Sequence, residues 1–479
     1  MDNSSEMRTA RRLGIMEAGS AAFHLLGLYR CVIVSARYNV LPNTSPNEAI
    51  LAAIGNLIHE NPMLRVGIRG EGSTEAYFTH IPEMKLSDFV EFRTSGLDQD
   101  HENFLEDVHC EVHDQFWQNV ETRPPWRVVV CRPDGAPSFE DVVFAFHHSL
   151  TDGVGGKLFH EKLLTQLNSL PSSPSAPEML SFPEPPTLPE PQDNIIDYTT
   201  TWSHWAAGIL NRFRPSFLTP AKPQLWTGGL VDFNRHKTRL HTVYIPPAVV
   251  STAVAESRTH GASITALLHT LVLTSLSRRL PDAPAFESTT PMSMRPYIPP
   301  RADPSTKEAL VVCVTGMTHP HSSSAVTTFR AAKGDMSDLI WEYARKVKND
   351  IKKRSSTLPA DEDMSDIAKI TDWLSFLGKK DGKKRARSWE VSNVGNVVNP
   401  EGEGEEGKRT MSRMLFTNGV MVSSDPMSIS VASVKNGPLA LGITWNEGIV
   451  EDKVMEGLAR DLETYLTRLH ETGTVTDEL

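Results

Sequence analysis

The chain has 479 residues, 39% of them hydrophobic, and a net charge of −11, with a pI near 5.9. That length and apolar content can bury a large core and predict two domains or more. The acidic balance argues against nucleic acid as the main partner, because phosphate binding needs a concentrated positive surface.

The polar start Met1-Asp-Asn-Ser-Ser-Glu is unlike a signal peptide, and the apolar stretch 18–28 follows Glu17 and is interrupted by His24. No apolar run approaches the ~18 residues of a membrane span. A cytoplasmic protein is expected, and the closing Thr-Asp-Glu-Leu479 is read as coincidence rather than an ER address. Cys31, Cys110, Cys131 and Cys313 are irregularly spaced and read as free thiols of a reducing compartment.

A short helix is predicted over 17–26 and a strand over 29–38. Residues 46–60 form an amphipathic helix with Pro46 in its first position, Ser45 as cap, Glu48 completing a capping box and Pro62 as stop. Another helix is predicted over 102–120. Its His109, Cys110 and His113 have no second ligand pair at metal spacing, so they read as an amphipathic helix surface and no metal is expected. Residues 124–131 read as a strand that can pair beside 142–146, with Trp126 as a core aromatic.

Residues 142–156 read V-V-F-A-F-H-H-S-L-T-D-G-V-G-G. An apolar, β-branched and aromatic strand ends abruptly at two imidazoles and a glycine-rich turn, and 157–170 continues as a helix. Histidine is neutral yet proton-accepting at cellular pH, so His148 is a candidate general base. Asp152 can fold back to fix the loop or pair with a distant cation, Gly153 relieves a bent backbone, and His147 reads as a satisfied loop residue. By composition H-x-x-x-D-G alone occurs in about one such chain in twenty, and the doubled histidine lowers this to a few in a thousand. The turn is therefore the candidate for chemistry.

These residues resemble the H-H-x-x-x-D-G motif shared by CoA-dependent acyltransferases and the condensation domains of peptide synthetases. The resemblance implies an α/β (α+β) fold of two chloramphenicol-acetyltransferase-like domains, each a mixed sheet with flanking helices, joined by a long crossover. It also implies that His148 is the base in a tunnel between the domains and that Asp152 is mainly structural. The opening of the chain, and Asn61-Pro-Met-Leu-Arg-Val-Gly-Ile68, are similar to fungal alcohol acetyltransferases and to the superfamily's helix-then-strand step.

Eight prolines within 171–192 favour extended, semi-rigid chain. The expected organisation is an N-terminal half over 1–170 carrying the motif, a linker over 171–192 and a C-terminal half over 193–479. The second half should open with a Trp-rich helix over 197–213, then a strand over 241–245, helices over 247–256 and 261–276, and a strand over 287–294. Arg295 matches an arginine that pairs with the motif aspartate in relatives, which implies an Arg295 to Asp152 salt bridge; an arginine exposed at a strand end is the other reading.

A strand over 310–317 and a helix over 327–352 follow. The basic run 379–387 reads as a solvated loop, with CoA phosphates as a second reading. Trp389-Glu-Val-Ser-Asn-Val-Gly395 resembles the superfamily's "SN.G" strand, and Ser392 or Asn393 could donate to a developing oxyanion or be ordinary strand and turn residues. Residues 401–406 read as an acidic loop, then come strands around 420–434 and 439–445 and a closing helix over 452–470.

No stretch matches the D-F-G-W-G of plant-type members, so the fungal alcohol acetyltransferase-like branch is the better match. It implies an acyl-CoA-dependent O-acyltransferase acting on a small-molecule alcohol, with acetyl-CoA or another acyl-CoA as co-substrate, no permanently bound cofactor, and a monomer. Two alternatives stay open: a carrier-protein-dependent condensation enzyme, and a binding protein of the same fold that has lost turnover.

Overall fold

The computed structural model describes residues 8–42, 45–135, 137–202, 205–206, 210, 223–362, 367–400 and 407–477. The acidic stretch 401–406 and residues 203–204, 207–209 and 211–213 of the Trp-rich segment 197–213 lie outside them. The architecture is mixed α/β, built on a five-stranded and a six-stranded sheet with flanking helices.

In the five-stranded sheet the spatial order is Met411–Asn418, Val32–Asn39, Phe139–Phe146, Trp126–Arg132 and Val90–Thr94. Phe139–Phe146 is central and antiparallel to both neighbours, with Val32 opposite Phe146 and Trp126 opposite Phe146. Its alternation sends Val142, Phe144 and Phe146 into a core shared with the helices Pro46–Glu60 and Gly153–Ser169. Val143 and Ala145 pack instead against Leu105, Val108 and Val112 of the helix His101–Asp114. Being covered on both faces explains why the strand reads as a continuous apolar run. Trp126 is a core residue whose Nε1 donates to the Leu64 carbonyl at 2.8 Å.

The second sheet runs Thr238–Ile245, Leu439–Asn446, Met427–Val434, Trp389–Val397, Phe286–Ser293, Val314–His321. Helices Ile264–Arg279, Ser337–Thr357 and Asp452–Thr472 cover one face, which takes Trp389, Val391, Ile429 and Leu441. The other face turns towards the first sheet. Met411–Asn418 comes from the C-terminal part of the chain yet pairs with Val32–Asn39, and the Asn418 N–H donates to Ser430 Oγ of the second sheet at 3.2 Å. One strand thereby ties the two sheets together.

Several expectations are corrected. The helix begun at 101 stops at Asp114 rather than 120, because Trp117 turns back to donate to the Arg30 carbonyl and Asn119 adopts φ 54°. Its His109 and His113 are buried and bond Ser35 and Thr417 hydroxyls, so this face is interior. Ser45 makes no side-chain cap bond, so the capping box does not form. The helix expected over 327–352 is two, Ser323–Ala331 and Ser337–Thr357, broken at Gly334 with φ 68°.

The strand expected from 310 starts at Val314, which leaves 310–313 free to bond Thr151 and Asp152. The basic run 379–387 is only partly solvated: Arg385 is buried on the Gly229 and Val422 carbonyls, and the half-buried Arg387 bonds Ser424 and Asp425. The Pro-rich 171–192 is pinned, since Met179–Ser181 pairs with Glu83–Lys85 and Leu180 and Phe182 enter the first core. No helix among the described residues is long and apolar enough to cross a membrane.

Candidate active site

His147 and His148 follow the last residue of the central strand, and Asp152 caps the helix Gly153–Ser169 by accepting from the Gly155 N–H at 2.8 Å. Arg295 closes the loop from the other half of the chain. Its Nη1 donates to Asp152 Oδ1 at 2.9 Å and Oδ2 at 2.7 Å, and its Nη2 to the Val311 carbonyl at 2.9 Å. The Cys313 N–H supplies a further bond to Asp152 Oδ2 at 2.8 Å. Burial would raise the Asp152 pKa, but the guanidinium and the two N–H donors outweigh it and hold the carboxyl below its usual range. Asp152 is therefore ionised and fully engaged.

The rest of the loop is tied down residue by residue. Ser149 Oγ donates to the Glu17 carbonyl at 2.7 Å and Thr151 Oγ1 to the Val311 carbonyl at 3.3 Å. A Cβ on Gly155 would lie 1.7 Å from Thr151 Oγ1, and one on Gly153 would lie 2.8 Å from Val394 of the second sheet. Only glycine allows these approaches.

His147 is buried and its hydrogen bonds fix its tautomer. Nδ1 accepts from the Ser149 N–H at 3.0 Å, so the proton sits on Nε2, which faces Glu71 Oε1 at 3.2 Å. The same Glu71 oxygen faces His24 Nδ1 at 2.9 Å. Burial raises the Glu71 carboxyl, but the bonds from His147 and His24 win and hold it at about 2, while burial pushes His147 down to about 4. These atoms lie within 4.8 Å of one another, a spacing a metal ion could use. A ligating His147 Nε2 would have to lose its proton while Nδ1 still accepts from Ser149, which would leave an imidazolate. A hydrogen-bonded cluster fits the donor set better.

His148 is half-buried. Its Nδ1 is buried and completes no hydrogen bond of regular geometry. Burial lowers its pKa from 6.5; the His148 and Thr151 carbonyls and the Asp152 charge act in the opposite sense without cancelling this. A proton on Nδ1, facing those carbonyls, leaves Nε2 as the basic nitrogen. The Tyr29 ring stands 5.7 Å from the imidazole.

Ser392 and Asn393 point to opposite faces of the strand Trp389–Val397. Asn393 Nδ2 donates to Thr265 Oγ1 at 3.0 Å, and Asn393 lines a cleft of about 280 Å³ with Ser263, Thr290 and Tyr297. Ser392 shares its face with Glu390 and with Val394, the neighbour of Gly153. The sequence reading missed Tyr29, Glu71, His24, Asn418 and Glu390. None carries a local signal, since each matters through a partner distant in sequence.

A two-sheet α/β chain that presents a histidine on a loop locked by an aspartate–arginine pair has the architecture of the acyltransferase and condensation-domain class. The sequence model of the alcohol acetyltransferase family matches residues 12–463, and the chain belongs to that family and is an acetyltransferase. It is 28% identical over 485 residues to the probable alcohol acetyltransferase FCK4 of Fusarium pseudograminearum, covering 97% of this chain and 96% of that one. Identity to the probable alcohol acetyltransferase crmB of Aspergillus fumigatus is 26% over 477 residues, covering 94% and 99%.

Among solved structures, the TRI3 trichothecene 15-O-acetyltransferase of Fusarium sporotrichioides superposes with a TM-score of 0.69 at 12% identity, covering 97% and 96%. The first condensation domain of the CDA synthetase superposes at 0.59 with 11% identity, covering 98% of each chain. At such identities the likeness is one of fold.

Proposed function

We propose that the protein transfers an acyl group, acetyl in the first instance, from an acyl-CoA thioester to the hydroxyl of a small alcohol, with His148 as general base. The observation that carries this reading is the half-buried His148 itself, whose basic Nε2 stands on a loop fixed by the Asp152–Arg295 pair. Nε2 takes the hydroxyl proton as the oxygen attacks the thioester carbonyl; the tetrahedral intermediate collapses, the C–S bond breaks and the proton passes to the leaving thiolate. Ser392 Oγ is the favoured oxyanion donor of the two strand candidates, because it shares the face of Val394, whereas Asn393 is engaged with Thr265.

Asp152, Arg295, Gly153 and His147 are then positioning residues. Holding both substrates in a passage between the halves can contribute about 7–11 kcal/mol, as much as the base itself. The chain would be organised as halves over 1–170 and 193–479, the second lending the strand Met411–Asn418 to the first sheet, with 171–192 as a linker packed on the first half, and would act as a cytoplasmic monomer. The test is acceptor-dependent release of free thiol from acetyl-CoA, across hydroxylated acceptors, by wild type and His148→Ala. Release abolished by the substitution supports the mechanism; release that survives it removes His148 as base.

A further inference from the structure

We infer that Tyr29 and Ser392 form a polar wall that selects an acceptor carrying a second hydrogen-bonding group beside its reacting hydroxyl, a diol or polyol rather than a simple aliphatic alcohol; this rests on the acyl-transfer reading above. The wall starts at His148, where the half-buried Tyr29 ring stands 5.7 Å from the imidazole. Tyr29 Oη donates to Asn418 Oδ1 at 3.0 Å. Asn418 Nδ2 in turn donates to Glu390 Oε1 at 2.8 Å, and its backbone N–H to Ser430 Oγ. The tyrosine is thus held from behind by side chains of two sheets.

Among the described residues the Tyr29 oxygen accepts no hydrogen bond, so a lone pair remains for a ligand donor. Ser392 lies two residues from Glu390 on the same face, a step of about 7 Å along a strand. It is 8% exposed, and among the described residues its hydroxyl has no hydrogen-bond partner. The tyrosine beside the imidazole and the nearly enclosed serine offer two hydrogen-bonding sites, since a Ser392 hydroxyl that donates to an oxyanion still accepts through its lone pairs, and together they favour a ligand that uses them. An alkyl chain laid there would desolvate both without compensation. The opposite end of the face, Val394 and Phe416 against Gly153, is apolar, so the polar end also sets orientation.

The Asn418–Glu390 bond is the support of this wall. Burial and the Asp425 carboxylate push the Glu390 pKa up, and an uncharged Glu390 keeps its carbonyl-type oxygen as acceptor for Asn418.

The experiment compares kcat/KM for cyclohexanol and cis-1,2-cyclohexanediol in wild type, Tyr29→Phe, Ser392→Ala, Glu390→Gln and Glu390→Leu. Saturation-transfer NMR on the same pair reads binding independently of turnover. The expected result is a diol preference in wild type that falls at least tenfold in Tyr29→Phe, and falls further in Glu390→Leu than in the isosteric Glu390→Gln. Equal use of both alcohols by wild type, or a diol preference that survives Tyr29→Phe, overturns the inference. Diol-selective binding that is lost in Tyr29→Phe, without thiol release from any acceptor, supports the wall while sinking the acyl-transfer reading.

Discussion

A single guanidinium nitrogen, Nη1 of Arg295, bonds both carboxylate oxygens of Asp152 across 143 residues of chain. Both groups are buried, with side-chain exposures of 8% and 5%, so each is the other's compensation for lost water. Arg295→Ala leaves a desolvated carboxylate and Asp152→Ala a desolvated guanidinium. Each single variant should lose about 3–5 kcal/mol of stability, and the double variant should lose clearly less than the sum. Urea unfolding of the four proteins measures this; additive losses would show that the two residues act separately.

Thr151 lies over Gly155, leaving no room for a methyl group. Gly155→Ala should therefore displace Thr151 from the Val311 carbonyl, costing about 1–3 kcal/mol as an overpacked site does. It should also lower kcat more than KM, because the loop that carries His148 moves. Gly153→Ala meets only the Val394 methyl and the edge of the Phe416 ring, at 2.8 and 3.0 Å, and should be the milder variant. Thermal melts and initial rates for both decide the order, and a Gly155→Ala enzyme with wild-type melting and rate contradicts it.

This loop was the most legible part of the sequence because its own signals are local, a strand that ends in two imidazoles, an aspartate able to fold back on the turn and a glycine-rich segment, whereas the partners that lock it, Glu71, Val311 and Cys313, lie far along the chain. The strand Met411–Asn418 was not legible. Its register shifts between Met411 and Arg413, which blurs the alternation, and its partner Val32–Asn39 lies near the other end of the chain, beyond what periodicity can report. Glu390 was hidden for a related reason. In Trp-Glu-Val-Ser-Asn-Val-Gly it reads as the solvated face of a half-buried strand, and only the arrival of Asn418 from another sheet makes it interior. The helix expected over 327–352 failed on the two residues Gly334 and Asp335, whose break is small beside the apolar pattern on either side.

Among the described residues Glu71 is the one carboxylate that holds the first motif histidine. Glu71→Ala leaves the N–H groups of His147 and His24 buried without acceptors, at about 1–3 kcal/mol each. It also frees the His147 ring that anchors the Ser149 N–H. The expected outcome is a lower melting temperature and a fall in kcat/KM of about tenfold or more, with Glu71→Gln intermediate because an amide oxygen still accepts. The acid limb of the pH–rate profile offers a second readout, since a displaced His148 leaves the carbonyls that surround Nδ1. Wild-type melting and kcat/KM in Glu71→Ala would remove Glu71 from the loop's support.

Acid should unfold this protein through its buried histidines. Burial pushes His147, His160, His236 and His319 down to about 4, and His109 and His321 to about 3. Below about pH 6.5 the unfolded chain takes up protons that these six rings refuse until pH 4 or lower. The unfolded state then binds more protons than the folded one, so stability is complete above pH 6.5 and is lost as pH falls through this window. Each ring contributes at most about 1.4 kcal/mol per pH unit there. Glu390, pushed up by burial and Asp425, acts in the opposite sense, but one group does not offset six. Asp152 and Glu71, both held below the usual carboxylate range, add further losses only as pH drops below about 4. Urea midpoints at pH 7.5, 6.0 and 5.0 should therefore fall steeply between the last two values. A midpoint unchanged from pH 6.5 to pH 5 would mean that these rings are hydrated and titrate normally in the folded protein.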